Sequence, residues 1–152
     1  MTTVSAQGVT VTVPSGWEAR IFRRPATPPE TTHTVVQIAN FPLPSEVGDY
    51  GDGAVELMGP LSILACLVEF HADHAGDALF IVPGPPGDLP VGEFRRTTLQ
   101  HARPGQLGAQ RFFNSAGRAW SLFVVLGSEE LRARLVATLN TALRTLQIRG
   151  HE

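Results

Sequence analysis

The sequence predicts an α+β domain: an antiparallel sheet of about six strands with a long C-terminal helix packed on one face and a short helix or loops on the other. Three observations favour this class. Apolar and polar residues alternate in several short runs separated by turn residues, as in half-buried strands. One stretch near the C-terminus instead has apolar residues at helical steps. No repeat or shift in composition divides the 152 residues, so we expect a single domain over 1–152 with a folded core over 9–148.

The N-terminal region predicts a hairpin. Residues 1–8 show no such pattern and are expected to be disordered. Residues 9–13 alternate strictly between Val and Thr, residues 14–16 suit a type I turn, and residues 17–23 resume an extended pattern. We therefore expect the two runs to pair with each other. Residues 24–29 contain three prolines, which lack the amide donor that a strand needs, so this stretch predicts a loop.

The middle of the chain predicts three further strands. Residues 33–39 alternate, and residues 54–58 fit a short helix that ends at a Gly-Pro pair. Residues 61–70 are apolar at both odd and even positions, which is typical of a central strand covered on both faces. Residues 77–82 are expected to form a fifth strand, which ends at a proline-rich connection.

The last third predicts a hairpin followed by the helix. Residues 110–113 and 120–126 flank a glycine-containing loop. Ser128 is a candidate N-cap, and Leu and Val then recur at three- and four-residue steps from 131 to 146, which corresponds to a helix of about five turns. One helix covers one face of a sheet. The other face must be covered by loops and the short helix, or by another chain.

The composition excludes several classes of function. The chain has 12 basic and 14 acidic residues, and this nearly neutral balance argues against a nucleic-acid-binding protein. Every basic residue is Arg, so a catalytic lysine and a phosphate-binding loop lysine are excluded. The single cysteine, Cys66, cannot form an internal disulfide. No signal peptide is visible, and the longest apolar run is far shorter than the ~20 residues that cross a bilayer. We expect a cytoplasmic protein without membrane insertion.

One cluster of polar residues could bind a metal ion. His71, Asp73, His74 and Asp77 follow the predicted central strand and could supply nitrogen and oxygen ligands. A pocket built on them, with or without enzymatic activity, is the alternative function. A solvated turn rich in Asp and His explains the same residues. No motif of a nucleophilic or phosphate-binding enzyme is present, so we expect neither a catalytic residue nor a cofactor.

The main functional hypothesis is a non-catalytic adaptor or accessory domain that binds a protein through an exposed sheet face or edge. Its partner is another protein or a second copy of the chain, as in a homodimer. Aromatic side chains on an uncovered face suit such a surface, and arginines suit its rim. The candidate interaction residues are Phe22, Arg23, Arg24, Arg95, Arg96, Phe112, Phe113 and Phe123.

Two stretches resemble a known superfamily. Residues 9–17, a Val/Thr strand followed by Pro-Ser-Gly-Trp, are similar to the opening of the PsbP/DcrB-like superfamily. Residues 120–126, which run into the helix from Ser128, are similar to its ending, and the actinobacterial LpqN-type branch is the nearest in character. The resemblance implies an antiparallel sheet between helices and a non-enzymatic role as an accessory subunit, chaperone or adaptor. It implies no catalytic residues.

Overall fold

The structure, a computed structural model, describes residues 1–25 and 33–151. Most of the predicted loop at 24–29 lies outside the described residues. The regular elements are β1 (Thr2–Ala6), β2 (Val9–Val13), β3 (Glu18–Arg24), β4 (His33–Ala39), β5 (Ile63–Phe70), β6 (Leu107–Ser115), β7 (Arg118–Leu126), α1 (Arg132–Leu143) and β8 (Gln147–Ile148). None of the helices in this part of the chain is long and apolar enough to cross a membrane.

The strands form two antiparallel sheets, so the α+β class is confirmed while the expected single sheet is not. The larger sheet has the order β3-β4-β5-β7-β6, and the smaller has the order β1-β2-β8. The predicted hairpin between residues 9–13 and 17–23 is wrong, because β2 pairs with β1 and β8 instead. Residues 1–8 were expected to be disordered, but Gln7 and Gly8 have positive φ values of 52° and 76° and close a tight β1–β2 hairpin.

One face of the five-stranded sheet, the helix side, is covered mainly by β2 and α1, and part of the irregular chain between β5 and β6 is buried in the same cluster. Val9, Val11 and Val13 of β2 and Leu135 and Leu139 of α1 are fully or almost fully buried against it. Side chains of β2 and α1 therefore pack against those of the sheet, and this larger buried cluster is the main core of the molecule.

The helix α1 is shorter than predicted at both ends. At its start, Ser128 Oγ accepts a hydrogen bond from the Leu131 amide, but the helix begins only at Arg132. At its end, the Thr145 hydroxyl donates to the carbonyls of Ala142 and Thr12 and accepts from the Thr12 amide. The amides of Thr145 and Leu146 close a last tight turn onto the carbonyls of Ala142 and Leu143, and the chain then continues as the short strand β8.

The opposite face, the loop side, is covered by irregular chain. Leu64, Cys66 and Phe123 are buried beneath the segment 41–58, together with Leu99. The helix predicted over 54–58 is present only as a single 3₁₀ turn, Val55–Leu57. The strand predicted over 77–82 is wrong: Ala78–Phe80 forms a 3₁₀ turn, and only Pro83 makes a bridge to the sheet.

Candidate functional site

Two of the predicted interaction residues belong to the core. Phe113 is fully buried on the helix side. Phe123 is almost fully buried on the loop side, where the ring of Tyr50 packs edge-on against it with 5.8 Å between ring centroids. Neither side chain can offer surface to a partner in this conformation. The alternation of side chains along β6 does place Phe112 on the opposite face from Phe113, as the sequence predicted.

The predicted arginines do not form one rim. Arg23 and Arg24 lie on β3, at one edge of the five-stranded sheet, whereas Arg95 and Arg96 lie beyond β6, at the other edge. Four strand spacings separate these edges, or ~19 Å. Arg24 bonds to the Asp49 carboxylate and Arg96 to that of Glu129, so both already have counter-ions within the chain.

The predicted metal ligands lie in exposed turns after β5. His71 Nδ1 is 3.3 Å from Asp73 Oδ2, and His74 Nδ1 is 2.8 Å from Asp77 Oδ2. These are two separate pairs on the surface. Within residues 1–25 and 33–151, no three or more His, Cys, Asp or Glu side chains are grouped so that they could hold a metal ion. The metal-binding hypothesis therefore gains no support from the arrangement of these side chains.

An exposed apolar segment follows directly. We call residues 78–82 the apolar turn. Leu79, Ile81 and Val82 expose 55%, 74% and 52% of their surface. Phe80, between them, points the other way and is buried against the rings of Phe70 and Phe112, at centroid distances of 5.1 and 5.8 Å. The turn thus holds three large aliphatic side chains in solvent.

The backbone of the apolar turn is fixed to the sheet. The Asn114 amide donates to the Val82 carbonyl at 2.9 Å, and the Gly84 amide donates to the Asn114 carbonyl at 2.7 Å. The exposure of the aliphatic side chains is therefore a property of an anchored segment. The sequence signal for it is the run of apolar residues over 78–82, which lacks the alternation of a half-buried strand.

A second surface feature lies at the opposite edge of the same face. It is an open cleft of about 870 Å³, which we call the β3 cleft. Its floor is the row Arg20, Phe22 and Arg24 along β3. Its wall consists of residues 45–48 and 52–53. Of these residues, the sequence predicted Phe22 and Arg24 as part of an interaction surface.

Arg20 has an unusual setting in this cleft. Its Nε donates to Gln37 Oε1 at 2.8 Å and its Nη2 donates to the Pro44 carbonyl at 2.9 Å. The Gln37 side chain is fully buried and donates in turn to the Val47 carbonyl. The sequence analysis does not include Arg20 among the candidate interaction residues, because the two groups that hold it, Gln37 and Pro44, are 17 and 24 residues away along the chain.

The remaining buried ionic group is structural. Arg118 and Glu69 expose only 1% and 7% of their side chains and form a bidentate pair at 2.8 and 3.1 Å. Arg118 also donates to the carbonyls of Gln7 and Arg149, so it ties the β1–β2 turn and the C-terminal segment to the sheet. Burial alone would raise the pKa of Glu69, but the hydrogen bonds and charge of Arg118 outweigh it and hold the pKa below its usual value.

The cysteine offers no nucleophile. Cys66 is fully buried in β5. Burial raises the pKa of its thiol to about 12. The thiol therefore stays protonated at neutral pH, and it behaves as a small apolar core group.

No protein-family model, curated protein or solved structure matches this chain.

Proposed function

We propose that the chain is a non-catalytic protein-binding domain, an adaptor or accessory component, whose contact surface is the apolar turn. One observation carries this proposal: Leu79, Ile81 and Val82 each expose more than half of their surface from a backbone that is bonded to the sheet. Contiguous exposed apolar side chains on an ordered segment are typical of interaction sites. Phe112, one of the predicted interaction residues, packs against the buried ring of Phe80 in the same turn.

The contact is reversible on energetic grounds. Fully burying a Leu, Ile or Val side chain is worth about 1.5–3 kcal/mol. Because each of the three is already partly covered, a partner gains only a fraction of that amount from each. Association also costs translational and rotational freedom. A weak or transient complex, suited to an adaptor, follows from these magnitudes.

The charges beside the apolar turn define the partner's chemistry. Asp77 directly precedes the turn and contacts His74, and Asp73 lies near His71 in the preceding turn with its carboxylate almost fully exposed. The complementary partner is a protein with an apolar surface bordered by basic residues, because acidic groups steer and orient such a surface.

Strand addition is not the mode of binding at this edge. The outer side of β6 is already occupied at both ends, by the bridge between Pro83 and Asn114 and by the bridge between Arg95 and Gly108. Few main-chain groups remain there for an incoming strand. The partner therefore contacts side chains of the apolar turn rather than the edge of the sheet.

Membership of the PsbP/DcrB-like superfamily belongs to the same proposal. Two features support it: β2 runs into the Pro14 turn, where the Trp17 amide donates to the Pro14 carbonyl, and β7 leads into the helix α1. Accessory and adaptor roles are what this resemblance implies.

A site-specific crosslink tests the proposal. The photoreactive residue p-benzoylphenylalanine replaces Ile81 in one variant and Leu57, another aliphatic side chain that is more than half exposed, in a control. We expect a discrete crosslinked protein at position 81 and none at position 57. The isolated partner should then bind the wild-type chain, and Leu79→Ser with Val82→Ser should weaken this binding about tenfold or more.

Charge variants and the purified chain complete the test. Asp73→Asn with Asp77→Asn should weaken the same complex, and added salt should weaken it further. If the purified chain alone gives the crosslink and sediments as a dimer, the partner is a second copy instead of a basic protein. Equal labelling from positions 57 and 81, or binding that is unchanged in Leu79→Ser with Val82→Ser, contradicts the proposal.

A further inference from the structure

The β3 cleft carries one cation without a direct counter-ion. Arg24 is paired with Asp49, but no carboxylate of the described residues lies within ion-pair distance of Arg20. The acceptors that hold Arg20 are a neutral amide and a neutral carbonyl. Those bonds use Nε and Nη2, so the N–H groups of Nη1 have no partner in the described part of the chain. Arg20 is thus held in place with a free donor pair.

The position of Arg20 is fixed in advance of any ligand. Gln37, which accepts from Arg20, is fully buried, and its amide donates to the carbonyls of Val47 and Gly48 at 3.2 and 3.4 Å. The floor of the cleft and its wall therefore share one hydrogen-bond network. A guanidinium held in this way loses little side-chain freedom when it binds an anionic group.

The wall of the cleft carries the opposite charge. Glu46 and Asp52 line it and are exposed, and neither has an ion-pair partner among the described residues. The partly exposed ring of Phe22 also lines the cleft, between Arg20 and Arg24 along β3, and the Arg24 guanidinium lies over it at 5.3 Å from the ring centroid. The cleft thus offers a cation, an apolar surface and two carboxylates.

We propose that the β3 cleft binds a zwitterionic ligand, a free amino acid or short peptide, whose carboxylate bonds to Arg20 while its ammonium faces Glu46 and Asp52. A simple anion would meet the repulsion of two carboxylates, and a simple cation would meet Arg20. A molecule with both charges and an apolar side chain matches all three features, and the volume of about 870 Å³ accommodates a short peptide. The β3 cleft and the apolar turn lie at opposite edges of the same face of the sheet, so this proposal is independent of the proposed function.

Calorimetric titration of the full chain with three related probes tests this assignment. The probes are the dipeptide Leu-Phe, its N-acetylated form and its C-terminal amide. We expect the dipeptide to bind and each blocked form to bind about tenfold or more weakly, because each lacks one charged contact. Amide NMR shifts should map to residues 20–24 and 45–53.

Matched variants separate the two charged contacts. Arg20→Gln should abolish binding of the dipeptide and Asp52→Asn should weaken it, whereas Arg95→Gln, at the other edge of the sheet, should leave it unchanged. If Arg20→Gln does not fold, Arg20→Lys and Asp52→Asn are used instead, because Asp52 is exposed and its substitution should not affect folding. Equal binding of all three probes, binding that survives in both charge variants, or no saturation up to about 10 mM dipeptide overturns the proposal.

Discussion

The two faces of the five-stranded sheet are covered in different ways. On the helix side, β2 and α1 place rows of Val and Leu against the sheet, and the buried cluster extends across β4, β5, β7 and β6, with partly buried residues of β3 packed against it. On the loop side, the buried cluster is smaller and its cover is the irregular segment 41–58. Both candidate surfaces, the apolar turn and the β3 cleft, lie on the loop side. The helix side buries the larger cluster, whereas the loops on the other side leave a cleft and protruding aliphatic side chains that a ligand or partner can use.

Matched truncations of two leucines should show this difference most strongly. Leu122 lies on the helix side and Leu64 on the loop side, and both are fully or almost fully buried. We expect Leu122→Ala to lower the free energy of unfolding by about 4 kcal/mol and Leu64→Ala by about 2.5 kcal/mol, because a cavity costs less where its walls can collapse. Urea denaturation followed by circular dichroism measures both.

The loop over Leu64 explains the smaller expected loss. A Cβ atom added at Gly51 would lie 2.8 Å from Leu64 Cδ2, so the segment around Gly51 rests directly on this side chain and can follow it inward. A loss for Leu64→Ala as large as that for Leu122→Ala would mean that the loop cover is as rigid as the helix cover, and the contrast between the faces would fail.

Breaking the buried ion pair between Arg118 and Glu69, on the helix side, should cause the next largest loss of stability. Arg118→Met leaves the Glu69 carboxylate buried without its guanidinium partner, beside His151 and the Thr34 hydroxyl. We expect a loss of about 3 kcal/mol in the free energy of unfolding, because an uncompensated buried charge is costly. The additional change Glu69→Leu should recover most of this loss. Failure to recover it would show that the bonds from Arg118 to the Gln7 and Arg149 carbonyls, not the charge pair, hold this end together.

The exposed pair between Arg144 and Asp88 is the control for that variant. Both side chains are more than half exposed, although their contact is bidentate at 2.7 Å. Exposed pairs contribute little to stability because water screens them. Arg144→Gln should leave the urea midpoint unchanged, so a large effect there would remove the distinction between buried and exposed pairs.

The sequence predicted the strands whose pattern depends on one buried face. Residues 33–39 form β4 as predicted, and the hairpin of β6 and β7 contains both predicted runs. It missed β1 because that strand has no buried side chains, so no alternation of apolar residues marks it. The pairing of β2 could not be derived either, since Val9–Val13 fits any partner strand and the Gln7-Gly8 turn decides between them.

The candidate surfaces were only partly predictable for a different reason. The sequence indicates that Phe112 and Phe113 face opposite sides, but not which side the chain covers. Arg20 gains its role from Gln37 and Pro44, which are 17 and 24 residues away. The apolar turn was predicted as a strand because its composition is apolar; the Asp77–Phe80 turn and the proline at 83 prevent it from pairing along its length.

Acid titration should give the smallest of these effects and test whether the helix-side face depends on charge. The pKa of Glu69 is lower in the folded chain than its ordinary value of about 4.3. The unfolded chain therefore binds the proton more tightly. The stability that the pair with Arg118 contributes is fully present above about pH 5 and is lost as the pH falls through the folded pKa. Glu69→Gln should flatten this acid limb in a series of urea melts from low to neutral pH.

Asp88→Asn is the matched control for the titration. The hydrogen bonds and charge of Arg144 also lower the pKa of Asp88, but that pair is exposed. We therefore expect its removal to change the acid limb less than Glu69→Gln does. If the two variants flatten the acid limb of the stability curve equally, burial adds nothing to the Arg118–Glu69 pair. The stability of the helix side then comes from its apolar packing alone.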